Sequence, residues 1–225
     1  MTLSVLFLAK ANDSRSIVAA EYLRAMGCNL QCHFGSWGDP FPSLAQSWRG
    51  DIIVSYLSRW VVPQKLLDNA KTAINFHPAP PEYPGVGGVN WALYEQAKSF
   101  GVTCHHMAAR VDTGPVIAVR RFSTFPLDTV SSLSERAWTH QLVLFYEIMP
   151  TVIVGAPLPK SSEQWNGRVR SRKEFNALCV VDLASDPADA LRRIRATTYD
   201  PYFPVLSIGD RRFTIKEQIT CAREP

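Results

Sequence analysis

Over its first 77 residues the chain alternates short apolar runs with segments of helical spacing, and this alternation narrows the choice of fold most. Leu3 to Leu8 is continuously apolar, the pattern of a strand buried on both faces. Asn12-Asp13-Ser14 offers helix N-cap residues. Ile17, Ala20, Tyr22, Leu23 and Met26 then follow a helical pattern, and Gly27 supplies a stop. Leu30 to Phe34, Asp51 to Tyr56 and Thr72 to His77 read as three more strands. The stretch from Gly35 to Gly50 is rich in turn residues and reads as loop with one helical turn, and Pro63 suits the first turn of a helix ending at Asn69. Strands separated by helices predict an α/β fold, a Rossmann-like, mostly parallel twisted sheet with flanking helices.

Beyond residue 77 the pattern continues. A helix is expected from Asn90 to Lys98, strands from Gly101 to Met107 and Val116 to Phe122, and a long helix from Thr129 to Val152. In that helix Val130, Leu133, Ala137, Trp138, Leu142, Phe145 and Met149 recur at helical steps. Composition changes near Val154, where Gly155-Ala156-Pro157-Leu158-Pro159 reads as a linker. The expected division is a main domain over 1–154 and a small C-terminal appendage over 155–225. The appendage holds a helix from Asp186 to Thr197 and a β-hairpin turning at Gly209-Asp210.

Composition excludes several classes. A chain with 46% apolar and 20% charged residues is ordinary globular protein, and no apolar stretch approaches a membrane span. The net charge of +4 is gathered late, at Arg168, Arg170, Arg172, Lys173, Arg192, Arg193, Arg195, Arg211, Arg212 and Lys216. No nucleic-acid-binding motif accompanies them; most suit a solvated surface, with a phosphate site or a subunit contact as the other readings. Five cysteines with no CxxC pair, Cys28, Cys32, Cys104, Cys179 and Cys221, argue against a disulfide framework or a zinc site and fit reduced thiols in a cytoplasmic protein. Leu8-Ala9-Lys10-Ala11-Asn12 stands where a glycine-rich dinucleotide loop would follow the first strand, and there is no Walker A loop.

Asn75 and His77 lie two apart at the end of the fourth strand, before a loop dense in proline and glycine. Residues i and i+2 of a strand share a face, so an amide and an imidazole project together where open α/β sheets bind ligands. Asp112, in Val111-Asp112-Thr113-Gly114, adds a carboxylate after another apolar run. Taken singly, each of these is commonly a framework or turn residue.

Their order carries more. Asn75-Phe76-His77-Pro78, Tyr83-Pro84-Gly85, Asn90-Trp91, Gly101-Val102-Thr103 and Val111-Asp112-Thr113-Gly114-Pro115-Val116-Ile117 follow one another between residues 75 and 117. This set resembles the folate-dependent formyltransferases, closely from Asp51 to Phe122 and loosely over the first strand and helix. The resemblance implies an enzyme that moves a formyl group from 10-formyltetrahydrofolate, its co-substrate, to an amine without a metal. It implies Asn75, His77 and Asp112 as the catalytic residues. It also implies a pterin slot lined by Arg59, Trp60, Val61 and Val62 and by the segment from Ala108 through Val111 to Asp112. Asn75 and His77 would donate to the oxyanion of the tetrahedral intermediate, and Asp112 would hold the imidazole and receive or relay a proton.

The acceptor is less explicit. Arg59-Trp60-Val61-Val62, Tyr83-Pro84-Gly85, Val89-Asn90-Trp91-Ala92-Leu93, Arg172-Lys173-Glu174-Phe175-Asn176 and Leu191-Arg192-Arg193-Ile194-Arg195-Ala196-Thr197 look most like enzymes that formylate nucleotide-linked amino sugars, with dTDP, GDP or UDP as carrier, for lipopolysaccharide O-antigen or other surface glycans. Lys10, Tyr83 and Trp91 are the expected acceptor contacts. Glycinamide ribonucleotide transformylase is the alternative, and an inactive folate- or nucleotide-binding module is the alternative of another class. Neither a nucleic acid nor a membrane is expected as partner. The exposed edge of the C-terminal hairpin suits a homodimer, with a monomer as the other reading.

Overall fold

In a computed structural model of the chain, residues 2–182, 184, 186–200, 202–208 and 210–216 are described. Four parallel strands come first: β1 (Ser4–Lys10), β2 (Asn29–Gly35), β3 (Gly50–Tyr56) and β4 (Ala70–His77). β5 (Ser99–His106) and β6 (Val116–Ser123) follow antiparallel, giving a six-stranded sheet in the order β2-β1-β3-β4-β5-β6. The helices between are α1 (Ser14–Ala25), α2 (Ser43–Gln46), α3 (Gln64–Leu67), α4 (Gly88–Tyr94) and α5 (Val130–Ile153). The expected α/β architecture is therefore observed, with β5 running against the other five strands of the sheet.

Side-chain chemistry explains the elements. Asp13 caps α1 by accepting from the Ser16 amide at 2.8 Å, and Thr129 with Ser132 forms a capping box at the start of α5. The apolar stripe of α5 covers one face of the sheet. Phe145 meets the rings of Phe76, Tyr56 and Phe7 at centroid distances of 5.1, 5.6 and 6.4 Å. Leu6, Leu8, Ile53, Val62 and Leu66 fill the opposite face. Both faces are covered, as the continuous apolar runs require. α5 also pins the end of β4, because Gln141 donates to the Phe76 carbonyl at 2.7 Å, between Asn75 and His77.

Some boundaries differ from expectation. α4 ends at Tyr94 rather than Lys98, because the chain turns at Gln96 (φ 56°) to enter β5. Pro63 is the N-cap of α3 instead of lying in its first turn. α6 (Arg172–Leu178) occupies a stretch that has no hydrophobic period long enough to announce a helix; Ser171 and Glu174 start it with a capping box.

The C-terminal part also contains α7 (Pro187–Thr197) and a small sheet of β7 (Val180–Val181), β8 (Val205–Ile208) and β9 (Arg211–Thr214). The expected hairpin is β8–β9; Gly209 of its turn lies outside the described residues, and so does Cys221. α7 rests on α4, with Asn90 donating to Ala196 O at 2.7 Å and Tyr94 to Asp189 at 2.7 Å. Several late arginines hold these contacts in place: Arg170 pairs with Glu95, Arg192 and Arg193 pair with Asp189, and Arg195 donates to the Asp128 carbonyl.

Candidate active site

The C-terminal ends of β1, β3 and β4 open into a cavity of about 810 Å³, within the range that holds small-molecule ligands. Asn75 and His77 line it, as does Asp112 from the loop after β5. His77 and Asp112 are buried, and Asn75 is half-buried. The three residues are thus brought together, and His105 completes the cluster.

His105 was not anticipated. It lies on β5 directly opposite Asn75 in the antiparallel register and is buried. Its Nε2 stands 3.0 Å from the Asn75 amide nitrogen and 3.4 Å from Asp112 Oδ1. Its Nδ1 lies 2.8 Å from the His106 carbonyl, which only accepts, so Nδ1 carries a hydrogen.

His77 is held from two sides. Nε2 donates to the Tyr83 carbonyl at 3.1 Å, and Nδ1 faces Asp112 Oδ2 at 3.4 Å. Both ring nitrogens have protein partners, so in this pair only Asn75 keeps a donor hydrogen for the cavity. One of its amide hydrogens faces His105, and the second remains for a ligand.

Asp112 is placed by the backbone around it. Its φ of +50° turns the carboxylate back toward the histidines, in a left-handed conformation that aspartate tolerates better than most residues. The Gly85 amide donates to Oδ2 at 2.8 Å. Burial pushes this carboxyl up, but the His77 charge, the hydrogen bond and charge of His105, and the Gly85 amide outweigh it and hold it at about 2. Asp112 is consequently a poor proton acceptor near neutral pH and a strong partner for positive charge.

Trp165 is a second unanticipated element. It comes from the stretch after α5 and stands edge-on to His105 and His77, at centroid distances of 5.0 and 5.8 Å. Its indole N–H donates to Gly114 O at 2.7 Å, which ties it to the loop carrying Asp112. The same stretch is fastened to the proline loop, where Arg170 N donates to Pro84 O at 3.0 Å and Val86 N to Arg170 O at 2.9 Å.

The expected pterin slot, Arg59, Trp60, Val61, Val62, Ala108, Val111 and Asp112, lines the same cavity. Trp60 is fixed by its N–H to Asp39 O at 3.0 Å and by an edge contact with Phe41. Val62 is buried, whereas Val61 and Val111 expose apolar surface. The slot therefore presents the exposed apolar surface of Val61 and Val111 beside the Trp60 ring.

Of the three expected acceptor contacts, Lys10 lines the cavity and two need correction. The Tyr83 side chain is buried against Phe100, and only its backbone carbonyl reaches the site, through His77. Trp91 is buried with its N–H on Val86 O at 3.2 Å, and Arg170 covers its ring. Both aromatics are taken up by the core, which gains more from their apolar area than a solvent-facing contact would.

Comparison with known proteins gives a family-model match and structures of the same fold. Residues 42–150 match the formyl transferase family model. The Mycobacterium tuberculosis protein Rv3404c is similar in structure at 20% identity and a TM-score of 0.79, covering 99% of this chain and 100% of that one. A sugar N-formyltransferase from Shewanella sp. FDAARGOS_354 is similar at 18% identity and a TM-score of 0.79, covering 98% and 99%. An N-formyltransferase from Helicobacter canadensis, solved with folinic acid and dTDP-3-aminofucose, gives 18% identity and a TM-score of 0.70, covering 93% and 85%. Asn75, His77, His105 and Asp112 all fall within the segment that matches the formyl transferase family model.

Proposed function

We propose that the protein transfers a formyl group from 10-formyltetrahydrofolate to the amino group of a nucleotide-linked amino sugar. The observation that carries this reading is the cluster of Asn75, His77, His105 and Asp112 at the end of a cavity that also holds an apolar slot and basic residues. The Helicobacter canadensis enzyme, of the same fold, was solved with ligands of both chemical kinds.

The folate supplies an activated formyl carbon. The acceptor amine attacks it as the neutral base, and negative charge grows on the formyl oxygen. The free amide N–H of Asn75 meets that charge, a contribution of roughly 3–4 kcal/mol for one preorganised donor. The amine must then lose a proton. Asp112, held at about 2, balances positive charge rather than accepting that proton. Transfer falls to imidazole, the side chain suited to it near neutral pH. Collapse breaks the bond from the formyl carbon to the folate nitrogen, which takes up a proton.

Residues 1–154 are read as the catalytic part and 155–225 as an extension that completes the cavity. A role in surface-glycan synthesis follows from the acceptor class. A cytoplasmic location suits the free thiols of Cys28, Cys32, Cys104 and Cys179. The wholly exposed β9 offers an edge for a second copy in a homodimer. No helix of the described residues is long and apolar enough to cross a membrane.

The test mixes the protein with 10-formyltetrahydrofolate and a panel of nucleotide amino sugars plus glycinamide ribonucleotide, and follows tetrahydrofolate release. Turnover with at least one sugar is expected. Turnover with the ribonucleotide alone, or with no amine, overturns the assignment.

A further inference from the structure

The two imidazoles of the site are touched from two loops that lie far apart in sequence. Trp165, between α5 and α6, meets both rings, and the Tyr83 carbonyl, in the proline loop after β4, accepts from His77. One side chain that does not line the cavity joins these loops. Arg121, on β6, forks onto Glu82, with Nη1 donating to Oε2 at 3.0 Å and Nη2 to Oε1 at 2.9 Å. Its Nη2 also donates to Glu163. Glu82 directly precedes Tyr83, and Glu163 stands two residues before Trp165. The loops also meet backbone to backbone. The amides of Asn166 and Gly167 donate to Pro81 O at 3.3 and 3.2 Å, and a Cβ on Gly167 would run into the Glu82 carbonyl.

We infer that Arg121 is a positioning residue: through Glu82 and Tyr83 it sets His77, and through Glu163 and Trp165 it sets both His77 and His105. Its effect on rate rests on the proposed formyl transfer, whereas its effect on the two rings is a property of the folded chain. Two carboxylates share one guanidinium, so without Arg121 they face each other as like charges and push the loops apart. Burial pushes the Glu82 carboxyl up, but the hydrogen bonds and charge of Arg121 outweigh it and hold it below its ordinary value. The three side chains are each about one-third exposed, and such pairs add little to stability. A bidentate fork nevertheless fixes direction as well as distance, which a lysine cannot do. Arg121 therefore matters more for where the rings stand than for whether the chain folds. A misplacement of about 1 Å at a reacting group can cost on the order of 10²-fold in rate.

The test begins with nuclear magnetic resonance of the isotope-labelled full chain. Arg121→Ala should move the ring signals of His77 and His105 and the indole N–H signal of Trp165. Arg120→Ala, which removes the neighbouring cation paired with Glu147, should leave all three in place. With 10-formyltetrahydrofolate and saturating dTDP-, GDP- or UDP-linked amino sugar, Arg121→Ala should lower kcat about tenfold and keep both KM values within about twofold. Arg121→Lys should recover part of that loss. Adding Glu163→Gln to Arg121→Ala should also raise kcat, because it removes the repulsion between the two carboxylates. The melting temperature should fall no further in Arg121→Ala than in Arg120→Ala. Unmoved ring signals, equal losses in Arg120→Ala, or a rate loss that follows loss of folded protein overturns the assignment. Absence of turnover by the parent chain with any amine strikes instead at formyl transfer, and the ring signals still decide what Arg121 positions.

Discussion

The backbone amide of Gly85 donates to Asp112 at 2.8 Å, so the proline loop sets the carboxylate that faces both active-site histidines. Gly85 has a φ of +87°, and an added Cβ would run into the Arg170 carbonyl. Gly85→Ala is expected to cost about 1–3 kcal/mol of stability from backbone strain alone, read from the midpoint of urea unfolding. It should also lower kcat, because the donor to Asp112 shifts with the loop.

Asn75→Ala should lower kcat by roughly 10²–10³, the usual loss for one oxyanion donor, with tetrahydrofolate affinity within about threefold of the parent. Single-turnover kinetics with saturating donor would measure it. A near-normal rate would remove Asn75 from the mechanism.

The pH dependence of stability has a defined sign. The folded carboxyl of Asp112 sits at about 2, below its unfolded value, so its stabilisation is full above about pH 4 and is lost as pH falls toward 2. Relative to Asp112→Asn, the parent should lose on the order of 2 kcal/mol across that interval. Unfolding curves of the two proteins from pH 5 to the acid limit would check this, and parallel curves would contradict it. By the same argument, an acid limb in the rate above pH 5 should survive in Asp112→Asn.

Trp165→Ala should reduce kcat by on the order of tenfold or more, since both imidazoles lose the ring that fixes their orientation. Trp165→Phe, which keeps a ring but loses the bond to Gly114, should recover part of the rate. A loss confined to thermal stability, with kcat intact, would reduce Trp165 to packing.

Tyr83→Phe should leave kcat/KM within about threefold, because the tyrosine serves His77 through its carbonyl and its ring lies in the core. A large rise in acceptor KM would restore the side chain to the acceptor site.

The parallel part of the sheet was legible because its signal is local. Runs such as Leu3 to Leu8 carry their own burial pattern, and Asn75 and His77 share a face by strand period alone. His105 was not legible, because its meeting with Asn75 depends on β5 running antiparallel in one register, which no local period states. Trp165 reaches the histidines across a fold-level contact for the same reason. Tyr83 and Trp91 misled in the other direction: an aromatic in a polar loop resembles a ligand contact until packing shows which face is buried. α6 did leave a trace, the Ser171 to Glu174 spacing, in a stretch that otherwise reads as polar.

The contact between Asn90 and Ala196 spans 106 residues of sequence. Closing so wide a loop depends on late residues, so the cavity wall bearing Arg172 and Tyr202 takes shape after the sheet that carries Asn75 and His77. During synthesis the cluster of Asn75, His77, His105 and Asp112 is complete in the chain before α7 is made, so docking of α7 on α4 closes a wall around groups already in place.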